Sequence, residues 1–410
     1  MNNTTLWNKN FMFYLSGYGF AMFGHYLLMF ALPLYVLHAT GSPAIFGSIM
    51  AVVYLPSLFL SPIGGIFADR ISKKRIIIAM QFSTSVLIFL FILASGHMSA
   101  VPIIIILLMG IYSSEGLGSP AFDASIPQLV PEEQIVRAGG MSGFMGQVPE
   151  FIAPIIAGAL FASFGLIPIV VISGICYGLA AVMAVFIKIP HVKQAATESI
   201  SKMIKGDIKV TAHYLSKENP QLIKVFLPLA LLMMILLPIL PIGLPILVTE
   251  HLQMSSSMLG LAAGISMGLG GVISSIIASV VGDKLKIKDC PKLLMLASLI
   301  TIPIGLVFVL ELNPIIMFAV IVVCMTVIMV TATIFVIRVW GYIQAETPEE
   351  ILGKVLSVMS ALVGFVTPIG FFLYGMVFER FTNAPWAVIF FAAVVSFGIT
   401  FYSARQFRRN

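Results

Sequence analysis

The chain has 410 residues, 59% of them hydrophobic and only 10% charged. A soluble globular protein carries roughly 25% charged residues, so a water-soluble fold of this length is excluded and a bilayer is the expected solvent. The formal charge of +6 is a matter of membrane topology, because the cations fall in the loops of one side, and nucleic acid is not expected as a partner.

Met1 to Asn10 is polar, and the apolar run that follows, from Phe11 to about Leu37, is longer than a signal-peptide core and lacks a small-residue cleavage site. It is expected to remain as the first span. A span needs about 20 mostly apolar residues. The sequence offers twelve such stretches, at 11–37, 44–67, 75–95, 101–122, 140–163, 167–188, 222–249, 256–281, 292–310, 314–337, 355–378 and 385–404. The longest polar interruption, His191 to Gln221, separates the sixth from the seventh and reads as a cytoplasmic linker with some amphipathic helix. The expectation is an all-α integral membrane protein: a six-helix half in residues 1–190, a linker at 191–221 and a second six-helix half in 222–410. Cys176, Cys290 and Cys324 form no CxxC pair and no zinc spacing, so no disulfide, metal site or other cofactor is expected, and each reads as a small buried residue. Span 7 carries Pro228, Pro238, Pro241 and Pro245 with Gly243 among them, and must be kinked or locally unwound.

Basic residues stay on the cytoplasmic side. With both termini inside, every Lys and Arg of the 23 except Arg380 falls in a cytoplasmic segment, including Arg70, Lys73, Lys74 and Arg75 after span 2 and the lysines of the linker. A different span count scrambles that sorting. The halves also echo each other. Asp69-Arg70 after span 2 corresponds to Asp283-Lys284 after span 8, 214 residues later, and Pro131-Glu132-Glu133 corresponds to Pro348-Glu349-Glu350, 217 residues later. Duplicated six-span halves with a site between them near mid-membrane are a transporter arrangement.

The loop Gly65-Ile66-Phe67-Ala68-Asp69-Arg70-Ile71-Ser72-Lys73-Lys74 is the most informative stretch. Asp69 ends a helix, where the dipole disfavours an anion, so it should find a donor such as Arg70 or a neighbouring helix N-terminus. Gly65 should allow another backbone to approach closely. The stretch resembles the G-x-x-x-D-R-x-G-R-K signature of the major facilitator superfamily, keeping Gly65, Asp69, Arg70 and Lys74 and replacing the second glycine by Ser72 and the second arginine by Lys73. The resemblance implies twelve spans and a conformational latch at Asp69 and Arg70. Ser119-Pro120-Ala121-Phe122-Asp123-Ala124-Ser125-Ile126-Pro127 and the opening Trp7-Asn8-Lys9-Asn10-Phe11 are similar to the macrolide-efflux and enterobactin-exporter branch, which implies export of a small molecule in exchange for protons across a bacterial cytoplasmic membrane. Ala153-Pro154-Ile155-Ile156-Ala157-Gly158 keeps Pro154 and Gly158 of the antiporter motif of span 5, whereas the arginine that the family carries in span 4 is Tyr112 here.

Ionisable residues inside spans are the remaining pointers, since a charge at the bilayer centre costs about 2.5–3.5 kcal/mol on the insertion scale. Glu150, with Gln147 one turn earlier, lies about 15 Å into a span that begins near Gly140. Glu115 lies in span 4 at a comparable depth if spans 4 and 5 are neighbours. Both, with His25 in span 1, are candidates for proton coupling or substrate binding. Asp123, at the cytoplasmic end of span 4, is expected to pair with Arg70 or another loop cation, and Arg338 at the matching end of span 10 reads as structural. No HExxH, GxSxG or Walker loop is present, so an enzyme is not expected. A monomer is expected, each half supplying the other's partner.

The topology is testable with cysteines. After the three native cysteines are replaced by serine, His97→Cys should react with a membrane-impermeant maleimide on intact cells, and Ser72→Cys only after permeabilisation. The reverse pattern would put the termini outside.

Overall fold

The computed structural model describes residues 6–189, 200–281 and 285–407. Residues 191–199 of the expected linker, the Asp283-Lys284 pair of the repeat, and Arg408 and Arg409 lie outside the described residues. Among the described residues twelve helices are long and apolar enough to cross a bilayer: span 1 Lys9–Thr40, span 2 Pro43–Arg70, span 3 Lys73–Ala94, span 4 Ala100–Asp123, span 5 Glu132–Phe164, span 6 Leu166–Phe186, span 7 Gln221–His251, span 8 Ser256–Val280, span 9 Ile287–Val309, span 10 Pro314–Glu346, span 11 Glu349–Arg380 and span 12 Pro385–Phe407. The linker contributes a helix at Ile200–His213.

The ends differ from the sequence expectation where helix continues beyond the apolar stretch. Span 5 starts at Glu132 and span 11 at Glu349, several residues early, and span 10 runs to Glu346, so Arg338 sits well inside it. Hydropathy marks the bilayer core, but helix starts follow local signals. Both early starts have proline at the N-cap followed by two glutamates in the first turn, where the dipole favours anions.

The chain forms two compact units, one from residues 1–40 and 52–200, the other from 41–51 and 201–410. In the first, span 1 packs on spans 5 and 6, and span 3 on spans 4 and 6. In the second, span 7 packs on spans 11 and 12, and span 9 on spans 10 and 12. Each pairing recurs six spans later, which is what a duplicated six-helix unit gives.

Two spans break their α-helix internally. Span 7 is α-helical over Gln221–Ile235, then passes through a 3-10 turn at Leu237–Ile239 and a short turn at Gly243–Pro245 into a π segment at Ile246–His251. Its prolines lack the N–H that would carry the ladder on. Span 8 contains a π segment, Gly264–Leu269, that has no proline to announce it.

Short polar motifs fasten the loops of the first unit. Asn8 caps span 1 by accepting from the Phe11 N–H at 3.0 Å, and its side-chain amide donates to the Leu129 carbonyl at 2.8 Å. Asn10 accepts from the Lys188 N–H at 3.2 Å. Lys74 donates its ammonium to the Val185 carbonyl, one of the unpaired acceptors at the end of span 6.

The close approach of span 2 to span 4 is made by Gly64, not by Gly65. A Cβ on Gly64 would stand 2.5 Å from the Gly116 carbonyl oxygen of span 4, whereas one on Gly65 meets nothing within 4 Å. Successive helical residues point about 100° apart, so the register of a single residue decides which glycine faces the neighbour. Gly64→Ala should therefore lower the stability of the purified protein by about 1–3 kcal/mol through overpacking, while Gly65→Ala should leave its thermal unfolding unchanged. Equal melting shifts for the two would contradict this packing.

Candidate functional site

Spans 1, 3, 4 and 6 of the first unit leave a cavity of about 230 Å³ between them. Its polar wall is built by helical periodicity. Glu115, Ser119 and Asp123 lie four residues apart and form one stripe of span 4. Tyr18, Met22 and His25 follow the same face of span 1, with Tyr26 beside them. Gln81 and Thr84, one turn apart, come from span 3, and Tyr177 closes the wall from span 6. His25 lies in the middle of its helix, and its ring meets that of Tyr26 edge-on at 5.4 Å.

Glu150 is half-buried at the midpoint of the helix Ile135–Phe164. The Tyr26 hydroxyl donates to its carboxylate at 3.3 Å. Tyr26 thus connects the cavity that holds Glu115 to the carboxylate of span 5. The two glutamates are not brought together by adjacency of their helices. Span 5 packs chiefly on spans 1 and 6 and span 4 chiefly on span 3, and it is Tyr26 of span 1 that relates the two carboxylates.

Charge compensation is sparse. Among the described residues the ion pairs are His213 with Glu218 at 3.6 Å and Lys292 with Asp289 at 2.7 Å, both far along the chain from this cavity. No such pair reaches Glu115, Asp123 or Glu150 among the described residues, and no Lys or Arg lines the cavity. Glu115 and Asp123 are exposed on the cavity wall, whereas Glu150 is half-buried, so it is at Glu150 that a proton would remove a cost of holding charge away from water.

Other expected residues fall elsewhere. Asp123 lines the cavity and does not pair with a loop cation among the described residues, because the Glu115 stripe continues to it. Asp69 is exposed, and the protein donor expected for it is not found among the described residues. Arg70 is half-buried. Gln147 is half-buried one turn before Glu150 and is not part of the cavity wall. Pro154 and Gly158 are buried in span 5, as is Pro149 beside Glu150. Tyr112 packs edge-on against Tyr54 at 5.6 Å, away from the cavity wall. Tyr18, Tyr26, Tyr177, Gln81 and Thr84 were not singled out from the sequence. Their signal was a polar side chain inside an apolar span, strongest in the His25-Tyr26 pair.

The sequence profile of the Major Facilitator Superfamily matches residues 14–370. The chain belongs to that superfamily. It is 21% identical over 409 residues to macrolide efflux protein A of Streptococcus pyogenes, covering 98% of each chain. It is 24% identical over 305 residues to the enterobactin exporter EntS of Shigella flexneri, covering 73% of this chain and 68% of that one. Among solved structures, the nucleoside transporter NupG superposes with a TM-score of 0.74 at 16% identity over 100% of both chains. A bacterial homologue of the iron transporter ferroportin superposes with a TM-score of 0.68 at 18% identity, covering 95% of this chain and 98% of that one. At such identities the structural likeness concerns the fold alone. The family, its efflux-named relatives and the fold make this a multi-pass membrane transporter of a small molecule, not an enzyme.

The Tyr26–Glu150 contact is open to a double-mutant cycle. Tyr26→Phe should cost about 0.5–1.5 kcal/mol by removing a hydrogen bond to a half-buried acceptor, and much less in a Glu150→Leu background. Equal losses in unfolding measurements on both backgrounds would mean that hydroxyl and carboxylate do not interact.

Proposed function

We propose that the protein is a proton-coupled antiporter that exports an amphiphilic, cationic small molecule, such as a drug, across the cytoplasmic membrane. The observation that carries this reading is the cavity of the first unit, with carboxylates on its wall, no lining Lys or Arg, and Tyr26 joining it to Glu150. Protons and an organic cation compete for the same negative charge. When protons occupy Glu115 and Asp123 the cation leaves, and when they depart it is bound again. Glu150 serves as the proton store behind Tyr26, and His25 beside that tyrosine is a second group able to hold a proton. Gln147, on nearly the same face as Glu150, orients it.

The loop residues Gly65, Asp69, Arg70 and Lys74 act as the conformational latch that the family signature implies, and Pro154 and Gly158 supply the bend of an antiporter span 5. The driving force is adequate. One charge crossing 100 mV releases about 2.3 kcal/mol, which at about 1.4 kcal/mol per tenfold supports roughly a fifty-fold gradient per proton. Similarity to efflux-named relatives supports the direction of transport. Export of a dedicated metabolite, a siderophore or a lipid-like substrate is the second reading, and the similarity to the enterobactin exporter favours the siderophore among these. An acidic substrate would meet the uncompensated carboxylates of the cavity, which favours the cation.

Everted membrane vesicles provide the test. Wild type should accumulate a macrolide or a cationic dye in a manner that an uncoupler abolishes. Glu150→Gln should insert normally yet lose proton-driven accumulation by at least about tenfold, and Glu115→Gln should weaken uptake of the cation. Unchanged transport and proton dependence in Glu150→Gln would make that residue structural. A panel on which nothing moves would favour the dedicated-metabolite reading.

A further inference from the structure

A second cavity, of about 390 Å³, lies wholly within the second unit, at the end of the bundle where span 7 finishes, span 9 gives way to span 10 and span 11 to span 12. Its floor is apolar, with Leu252, Met317 and Pro385 buried. Its mouth carries Glu311, His251 and Asn383, and the rings of Phe308 and Trp386 wall it. The His251 ring lies edge-on to Phe308 at 6.1 Å, and Trp386 leans on Phe390 at 6.2 Å. None of these residues belongs to the cavity of the first unit.

Glu311 is disfavoured at its position for two separate reasons. Its φ is 48°, and the other described non-glycine residue with positive φ, Gln253 at 52°, follows Leu252 of the cavity floor. A left-handed residue just past a helix end is ordinarily Gly or Asn. A carboxylate there also faces the negative end of the span 9 dipole. The following helix does not account for the acid, because Asn313 already caps it by accepting from the Ile315 N–H at 2.9 Å. Glu311 is exposed, and no ion pair reaches it among the described residues. Backbone strain gathers at functional sites, where some other interaction compensates for it.

We propose that this cavity binds an organic ammonium ion, with Glu311 as counter-ion and the Trp386, Phe308 and His251 rings as its cation–π walls. A carboxylate at the rim of a cavity with aromatic walls is the donor set that a quaternary or tertiary ammonium requires. The volume lies within the range of small-molecule sites. A metal ion is a poorer fit, because His251 and Glu311 supply only one imidazole and one carboxylate, and among the described residues no group of three such ligands gathers. An anion would meet Glu311 with no Lys or Arg on the wall. The site stands apart from the proton-coupling reading, since it uses no residue of the first unit.

The full-length protein in lipid nanodiscs tests this with choline and its neutral isostere 3,3-dimethylbutan-1-ol. The chain has three tryptophans, so Trp7→Phe with Trp340→Phe leaves Trp386 as the reporter. Choline should change its fluorescence saturably, and the isostere should bind at least about tenfold more weakly. Glu311→Gln and Glu311→Gly should each weaken choline by at least about tenfold. The glycine variant also relieves the left-handed backbone, so a loss of binding in a protein that melts at or above the wild-type temperature cannot be misfolding. Equilibrium dialysis of radiolabelled choline against the protein with its native tryptophans gives the same comparison should the reporter variant fail to fold. No saturable binding, equal affinity for the isostere, or unchanged affinity in both Glu311 variants overturns the proposal.

Discussion

Inside a bilayer there is no water to satisfy a backbone amide or to solvate a charge. The first half of that constraint forces the chain into helices, whose amides pair within the segment, and twelve of the described helices are long and apolar enough to cross. The second half concentrates attention on the few ionisable side chains that the spans contain. Glu115, Asp123 and His25 share one cavity wall, and Tyr26 leads from it to Glu150. Remove the cost of desolvating charge, and nothing distinguishes these residues from a surface cluster.

The same constraint gives meaning to the irregular backbone. Broken helix is tolerated at membrane depth only where other groups satisfy the freed amides or a cavity admits water. Span 7 breaks at its prolines and reaches His251 as a π segment, and it is at that end that the second cavity opens. The π segment of span 8 packs on span 10, and spans 7 and 8 of the second unit are thus interrupted after they have begun. The six spans of the first unit are each continuous α-helix once begun. The duplicated pairing of spans therefore coexists with a division of character, a polar cavity in one unit and helix breaks in the other.

Loops between spans are held by single polar contacts of modest strength, each about 0.5–1.5 kcal/mol net. Asn8 and Asn10 tie the start of span 1 to the segments following spans 4 and 6, and Lys74, in the first turn of span 3, caps span 6. The opening motif and the signature lysine thus have a local structural task, whatever further part the loop plays in the transport cycle. In the second unit, the Tyr374 hydroxyl donates to the Ile235 carbonyl where the first α-helical part of span 7 ends, taking up an acceptor that the break sets free.

Sequence alone determined the solvent, the span count, the duplication and the break in span 7, because those follow from composition, apolar length and proline chemistry, which act locally. It also picked out Glu115, Glu150, His25 and Asp123, since a charge in an apolar run is visible without a fold. It did not determine which partners those charges meet. Tyr26 stands between the carboxylates of spans 4 and 5 because of how span 1 packs, and Asp123 joins the cavity because of the phase of span 4. Gly64 and not Gly65 meets span 4 for the same reason of phase. The cavity of the second unit was equally hidden, since His251, Glu311 and Trp386 come from the end of span 7, the segment between spans 9 and 10, and the start of span 12. Neighbours across helices are set by packing, and a one-residue change of register, invisible to hydropathy, rotates a side chain by about 100°.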